Sequence, residues 1–153
     1  MSSKNFISKV QKEVNQMESK EAKATYPKEF AKGVDYLNVV VQDMERLLKE
    51  LNSDSHNKHE EALEEMINYG LDLKLELDRN YSVTWLISWG GPSFRFRFIL
   101  DQDLQIETVI AEFQDWFTPW LEIPTTNKQD ELIKQFAEHS LYWEAWDFEE
   151  VEI

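Results

Sequence analysis

The sequence predicts an α+β protein in which amphipathic helices cover one face of an antiparallel sheet. The first observation is the spacing of the apolar residues, which recur every three or four positions up to about residue 70 and at every second position after it. The second is the set of short polar or glycine-containing separators between the alternating segments, which is typical of hairpin turns. Together they predict an N-terminal helical hairpin and a short helix packed on a four-stranded antiparallel meander, followed by a C-terminal helix.

A single domain is predicted, because 153 residues with 42% hydrophobic content are enough for one core. The longest apolar run, 81–94, is shorter than the roughly 20 residues of a membrane helix, and no secretory signal segment is expected. There is no cysteine, which excludes disulfides and thiolate chemistry. We expect a cytoplasmic protein with one domain over 1–153, made of a helical part (1–70), a sheet with an aromatic loop (71–124) and an acidic C-terminal helix or tail (125–153).

Three amphipathic helices are predicted in the helical part. An apolar stripe through 7–17 predicts the first. A heptad pattern over 30–51 predicts the second, and it favours either a hairpin with the first helix or a seam toward a second subunit, hence a homodimer. The third is predicted from His59 to Tyr69, with Gly70 as its end. The positions of the candidate oligomer seam are Val34, Leu37, Val41, Met44 and Leu48.

Strict alternation of apolar and polar residues predicts the four strands of the meander. The clearest case is SFRFRFIL (93–100), where phenylalanines alternate with arginines. The final helix is predicted to begin after a cap at Thr126 or Asn127. The predicted strands are 71–78, 81–89, 93–100 and 104–113.

The segment EFQDWFTPWLEIP (112–124) concentrates aromatic residues between two prolines, which disfavour regular helix or strand. Two interpretations are open for Trp116, Phe117 and Trp120. They form a buried lid over the end of the sheet, which a long crossing loop in a compact domain usually needs. Alternatively, they form an exposed aromatic patch that binds a partner. The lid is the favoured interpretation.

Arg95 and Arg97 project from the same face of one predicted strand. In a strongly acidic region, we expect them to pair with neighbouring carboxylates, for which Glu107, Glu112 and Asp115 are the candidates. The alternative is a pair of arginines that binds an anion or a partner's carboxylate.

Two small clusters could in principle hold a metal. His56 and His59 lie one helical turn apart, and Asp101 and Asp103 flank a predicted hairpin turn. The favoured interpretations are structural, because the histidines lie at a helix start and aspartate is a common turn residue. No nucleophile elbow, phosphate-binding glycine loop or zinc signature is present in the sequence. We therefore predict a protein that is not an enzyme and uses no catalytic residue, metal or cofactor.

The negative charge is concentrated near the C-terminus. The formal net charge is −14, and residues 101–153 contain two basic and fourteen acidic residues. Such a surface repels nucleic acid and anionic membranes, so that neither is an expected direct partner, and it favours a basic protein.

The segments GGPSFRFRFILD (90–101) and EFQDWFTPW (112–120) resemble small accessory proteins encoded by bacteriophages and other mobile elements. The resemblance covers residues 80–121. It implies a genomic neighbourhood of genes that counter host defence, such as anti-CRISPR and anti-restriction genes, and it assigns no catalytic residue. The positions that carry it are Gly90, Gly91, Pro92, Gln114, Asp115, Trp116, Thr118, Pro119 and Trp120.

The charge and the resemblance together lead to a functional hypothesis. The protein is expected to inhibit a host nucleic-acid-binding defence enzyme, such as a nuclease or CRISPR effector, in the bacterial cytoplasm. Duplex DNA carries about one negative charge per 1.7 Å of axis, and an array of carboxylates would occupy the basic channel that binds it. The predicted contact residues are Asp130, Glu131, Glu138, Glu144, Asp147, Glu149, Glu150 and Glu152, with Trp143 and Trp146 as anchors.

Three alternatives stay open on sequence grounds. The protein is an immunity protein to a basic toxin, an oligomeric adaptor built on the heptad helix (30–51), or a metal-dependent enzyme that uses Asp101 and Asp103.

Overall fold

The computed structural model describes residues 16–70, 72–77 and 81–140. Within these residues the protein has four helices and six strands, which confirms the predicted α+β class. None of the described helices is both long enough and apolar enough to cross a membrane. The elements are β1 (Gln16–Met17), α1 (Ser19–Thr25), α2 (Pro27–Leu51), α3 (His56–Ile67), β2 (Asp72–Leu77), β3 (Tyr81–Ser88), β4 (Pro92–Leu100), β5 (Ile106–Asp115), β6 (Trp120–Ile123) and α4 (Asn127–Ser140).

The sheet has the strand order β1-β6-β5-β4-β3-β2. The four predicted strands are present as β2 to β5 and pair antiparallel with their sequence neighbours. The prediction of a purely antiparallel, four-stranded sheet is wrong in detail. β6 adds a fifth antiparallel strand beside β5, and the two-residue β1 pairs parallel with β6, so that the sheet is mixed.

The strand β6 forms where the sequence predicted an irregular loop. Pro119 and Pro124 lie immediately outside the strand, so that neither interrupts its hydrogen bonds. Within the strand, Leu121 and Ile123 are buried on the helix-covered face of the sheet. The two prolines therefore lie at the ends of a short strand, and the apolar residues between them determine how the strand pairs with β5.

The predicted first helix lies mostly outside the described residues. Its last apolar position, Met17, is in strand β1, where it pairs with Leu121 of β6. The described chain becomes helical only at Ser19, with the short helix α1. The helical prediction is thus wrong at Met17.

Aromatic side chains of β4 form the centre of the core. Phe94, Phe96 and Phe98 are fully buried on the face covered by the helices, with neighbouring ring centroids 5.2 and 6.1 Å apart. Tyr36 of α2 stacks on Phe94 at 5.0 Å, and Phe136 of α4 stacks on Trp85 of β3 at 6.2 Å. Both long helices are therefore positioned by rings of the sheet.

The heptad side of α2 faces the core of the same molecule. Leu37, Met44 and Leu48 are buried, and Val34 and Val41 pack against the core at partial exposure. This corrects the prediction of an oligomer seam, because these five side chains already have intramolecular partners. The heptad pattern arises because one helix packs on the apolar face of a sheet, which requires the same apolar stripe along the helix as a coiled coil does.

The final helix begins at the predicted cap. The hydroxyl of Thr126 accepts a hydrogen bond from the backbone N–H of Gln129 at 3.1 Å, and the Gln129 side chain accepts one from the Thr126 N–H at 2.9 Å. This reciprocal pair is a capping box. It fixes where α4 starts.

Gly33 allows α2 to approach the sheet closely. A Cβ atom at this position would lie 2.9 Å from the Cβ of Phe113 and 2.5 Å from the Cδ1 of Ile123. We expect Gly33→Ala to lower the free energy of unfolding by about 1–2 kcal/mol, because the overpacking cost exceeds the gain in helix propensity. Urea denaturation measures the change. Ala31→Gly, on the exposed side of the same helix, is the control for propensity alone, and a Gly33→Ala variant more stable than the parent would contradict the close packing.

Substitution of Leu37 tests whether the heptad side of α2 belongs to the core or to a subunit seam, because this side chain is 2% exposed within one molecule. We expect Leu37→Ala to lower the free energy of unfolding by about 2–5 kcal/mol through lost burial and a cavity. Analytical ultracentrifugation of the folded variant should give the mass of the parent protein. A change from dimer to monomer with unaltered stability would mean that the seam prediction was right after all.

Candidate functional site

A tight turn connects β5 to β6 and presents two aromatic residues. The backbone N–H of Thr118 donates to the carbonyl of Asp115 at 3.2 Å, and the Asp115 N–H donates to the Thr118 hydroxyl at 3.1 Å. The Asp115 carboxylate also accepts from the Trp116 N–H at 2.8 Å. These bonds close the turn locally, so that Trp116 and Phe117 at its tip have no need to contact the core.

The tip residues are among the most exposed apolar side chains of the described chain. Trp116 is 76% exposed and Phe117 is 96% exposed. The lid interpretation is therefore wrong for these two residues, because a four-residue hairpin turn replaces the crossing loop that would have needed them as internal packing. Trp120 is buried as predicted, at 9% exposure, but it is a residue of strand β6 and not of a lid, and it lies under the Arg95 guanidinium, 3.9 Å from the ring centroid.

A third exposed aromatic residue lies at the same end of the sheet. Trp89, 69% exposed, follows β3 and precedes the Gly90-Gly91 turn. Because Pro92 pairs with Asp115, the β3–β4 turn and the β5–β6 turn lie side by side. We refer to Trp89, Trp116 and Phe117 as the aromatic end.

The two turns of the aromatic end are in direct contact. A Cβ atom on Gly91 would lie 2.6 Å from the indole nitrogen of Trp116. The indole thus lies against Gly91, and a side chain at position 91 would displace it. Lys32 of α2 adds a second contact, with its amine 3.4 Å from the Asp115 carboxylate. Such an exposed ion pair contributes little energy, but it places a helix beside the turn.

A groove of about 620 Å³ runs along α2 next to the aromatic end. Lys32 lines the groove as well as pairing with the turn, and Ile87, two residues before Trp89, lies on the opposite wall. Two aspartates and two tyrosines supply most of its polar groups. The groove is lined by Lys32, Asp35, Tyr36, Val39, Val40, Asp43, Tyr69, Gly70 and Ile87.

The two arginines of β4 are held by one buried carboxylate on the other face of the sheet. Glu112, 2% exposed, accepts from the Nε of Arg95 at 2.7 Å and lies 4.0 Å from the Nε of Arg97. This confirms the predicted pairing for Glu112. Of the other candidates, Asp115 pairs with Lys32, and Glu107 is exposed. The cross-strand register of β4 and β5 brings Arg95 opposite Glu112, which is why this partner is selected.

Part of the predicted acidic contact surface lies on α4. Glu131 and Glu138 are exposed and seven residues apart on one side of the helix, although Glu131 also lies 3.5 Å from the Lys134 amine. Asp130 is half-buried and accepts a hydrogen bond from the Thr125 hydroxyl, so that it serves the start of the helix. The remaining predicted contact residues lie outside the described residues; they are Trp143, Glu144, Trp146, Asp147, Glu149, Glu150 and Glu152.

The two clusters considered for metal binding have structural roles. His56 lies 3.1 Å from Glu60 on the same helix, and the Nδ1 of His59 lies 2.6 Å from the carbonyl of Leu51 at the end of α2. The Asp101 carboxylate accepts backbone N–H groups of Asp103 and Gln105, at 2.8 and 3.0 Å. Within the described part of the chain, no three His, Cys, Asp or Glu side chains are grouped as metal ligands.

Comparison with protein-family models, curated proteins and solved structures finds no match to this chain. The resemblance of residues 80–121 to mobile-element proteins stays a prediction. Its motif residues do form one structural unit, because Gly91 of the first segment contacts Trp116 of the second.

Sequence reasoning identified Trp116 and Phe117 but not their neighbours. It included Trp89 in the predicted strand 81–89, and it did not single out Asp35, Asp43 or the groove between them. The only available signal for the groove was the spacing of the two aspartates on one side of a long helix.

Glu112 is expected to stabilise the sheet without serving the exposed site. We expect Glu112→Ala to lower the free energy of unfolding by about 3–5 kcal/mol, because it removes the carboxylate from two guanidinium groups in a buried environment. Chemical denaturation measures the loss. Glu107→Gln, exposed on the same strand, is the control and should change stability by no more than about 0.5 kcal/mol. Equal stability of the Glu112→Ala variant and the parent would show that the pair is dispensable.

Proposed function

We propose that this protein is a non-enzymatic binding protein that docks on a basic partner protein through the aromatic end. The observation that carries the proposal is the exposure of three large aromatic side chains on two hydrogen-bonded turns in mutual contact. Clustered exposed aromatics are unfavourable in water, and Trp is the residue type most enriched at binding hot spots. Their short turns keep the backbone ordered before binding, which reduces the entropic cost of association.

The overall charge supports a basic partner. With a net charge of −14, the protein attracts positively charged surfaces over distances beyond direct contact. This attraction would speed association and orient the partner, while the aromatic end would supply the energy that slows dissociation. Glu131 and Glu138 on α4 are described carboxylates available for this steering.

The partner class that we favour is a nucleic-acid-binding defence enzyme of a bacterial host, such as a CRISPR effector or restriction nuclease. Such enzymes hold DNA or RNA in basic channels, which an acidic protein would occupy in place of the nucleic acid. The protein would then act as an inhibitor of the enzyme. The resemblance of residues 80–121 to mobile-element accessory proteins supports this choice of partner.

The proposal is tested with the tagged full-length protein and its Trp116→Ser/Phe117→Ser variant, each used to capture partners from host lysate at low and high salt. The retained protein is then purified and its affinity measured directly. We expect the variant to bind at least about 30-fold more weakly, because truncation of even one hot-spot residue costs about 2 kcal/mol or more. Ile67→Ser, which removes an exposed apolar side chain from α3 instead, should bind normally.

Two further results test the class of the partner and the role of the aromatic end separately. If the partner is a nucleic-acid-binding enzyme, its DNA or RNA should compete with the protein, and raising the salt concentration should slow association steeply. A partner that binds the Trp116→Ser/Phe117→Ser variant as tightly as the parent would overturn the role of the aromatic end. Circular dichroism and thermal unfolding confirm that each variant is folded.

A further inference from the structure

We propose that the groove beside α2 binds an extended segment of a partner protein that carries two basic side chains with an apolar side chain between them. Asp35 and Asp43 would receive the two cations, and Val39 would contact the apolar residue. The inference rests on the proposed function, because it identifies which feature of a basic partner is recognised next to the aromatic end.

The shape of the groove is set by one side of a regular helix. Its residues on α2 run from Lys32 to Asp43 at steps of three, one, three, one and three. At 1.5 Å per residue they span about 16 Å, which is the length of roughly five extended residues. The facing wall is formed by Tyr69, Gly70 and Ile87. The helical side of the groove is therefore about as long as an extended peptide segment of five residues.

The walls of the groove are held in place before any ligand binds. Tyr36 stacks on Phe94 of the core at 5.0 Å. Tyr69 packs edge-on against Trp85 and Phe136, at 6.1 and 5.2 Å. Both tyrosines thus belong to the core on one side and to the groove on the other, so that a ligand would meet a preformed surface.

The lining of the groove has two carboxylates and one amine, so that its net charge is negative. In the described part of the chain, neither Asp35 nor Asp43 has a basic side chain within ion-pair distance. The basic residue of the lining, Lys32, is engaged with Asp115 of the neighbouring turn. A cationic ligand would therefore find two carboxylates without competing partners.

The apolar contact lies between the two carboxylates. Val39 is 58% exposed, and it is one of five large apolar side chains in the described chain that are clearly exposed. It is four residues from Asp35 and four from Asp43, so that it lies midway along the groove. The Tyr69 hydroxyl nearby stays protonated as a donor, because burial, and then the Asp43 carboxylate, raise its pKa.

An extended segment with basic residues at both ends fits this pattern better than an acidic or neutral segment of the same length. In a strand, side chains at positions i, i+2 and i+4 point to the same side, and the outer two are about 13 Å apart. Asp35 and Asp43 are eight helical residues apart, which is about 12 Å. A basic residue at i, an apolar residue at i+2 and a basic residue at i+4 would thus reach Asp35, Val39 and Asp43. A second copy of this chain is disfavoured as the occupant, because each copy has a net charge of −14.

The test is a titration of the full-length protein, labelled with ¹⁵N, with the acetylated and amidated peptide Arg-Thr-Leu-Thr-Arg. We expect saturable shifts of the backbone amides of Val39, Gly70 and Ile87. The peptides Glu-Thr-Leu-Thr-Glu and Arg-Thr-Ser-Thr-Arg are matched controls for the charges and for the apolar residue. The first should cause no shifts in the groove, and the second should bind more weakly.

The matched protein variants are Asp35→Asn/Asp43→Asn and Glu45→Gln/Glu61→Gln. Both remove two negative charges, but Glu45 and Glu61 are exposed residues that do not line the groove. An exposed ion pair contributes up to about fivefold in affinity, so that the first variant should bind the peptide about tenfold more weakly or worse. The second variant should bind it within about twofold of the parent.

Three outcomes would overturn the inference. One is the absence of peptide binding to the parent protein, and another is equal binding by the Asp35→Asn/Asp43→Asn variant. The third is a set of groove shifts that depends on protein concentration without peptide, which would identify a second copy as the occupant. The peptide titration does not involve Trp116 or Phe117, so that the groove and the aromatic end can fail separately.

Discussion

The packing of three phenylalanine rings along β4 is the interaction on which the rest of the structure depends. Phe94, Phe96 and Phe98 are central in the sheet and completely buried. Because Tyr36 of α2 stacks on the first of these rings, the register of the long helix against the sheet follows from it. The position of the groove is a consequence, since its helical wall is the side of α2 immediately beside this contact. A change in the ring stack would move the groove even if every groove residue were kept.

Local hydrogen bonds and mutual contact, and not packing against the core, hold the two turns of the aromatic end in place. The β5–β6 turn is closed by Asp115 and Thr118, and the β3–β4 turn lies against it through Gly91. This separation has a physical advantage. Aromatic residues at a turn tip can be substituted with little effect on folding, because the core does not rely on them. Trp120, three residues after Phe117, is instead buried under Arg95. The same segment thus contains both a binding candidate and a structural residue.

Most of the fold could be predicted from periodicity, and the failures have identifiable causes. The heptad of α2 and the alternation of β2 to β5 are long patterns, and long patterns are the reliable ones. Trp89 was predicted within a regular strand, but the pairing of β3 with β4 shifts register between Leu86 and Ser88 and the strand ends at Ser88, which no alternation rule detects. The prediction of an oligomer seam on α2 was wrong because packing against a sheet requires the same apolar stripe on a helix as packing against a second helix. The groove was not predictable, since Asp35 and Asp43 read as ordinary solvent-facing residues of a helix until the opposite wall is known.

The contact between Gly91 and Trp116 links two positions that are 25 residues apart in the sequence. Because the indole occupies the volume that a Cβ atom at position 91 would need, bulk added at one position has to be removed at the other. The pair is therefore expected to vary together during evolution: a chain with alanine or serine at position 91 would retain this end of the sheet by having a smaller residue at position 116. Such a chain would keep its core and lose one of its three exposed rings, so that divergence of the fold and divergence of the recognised partner can proceed at different rates.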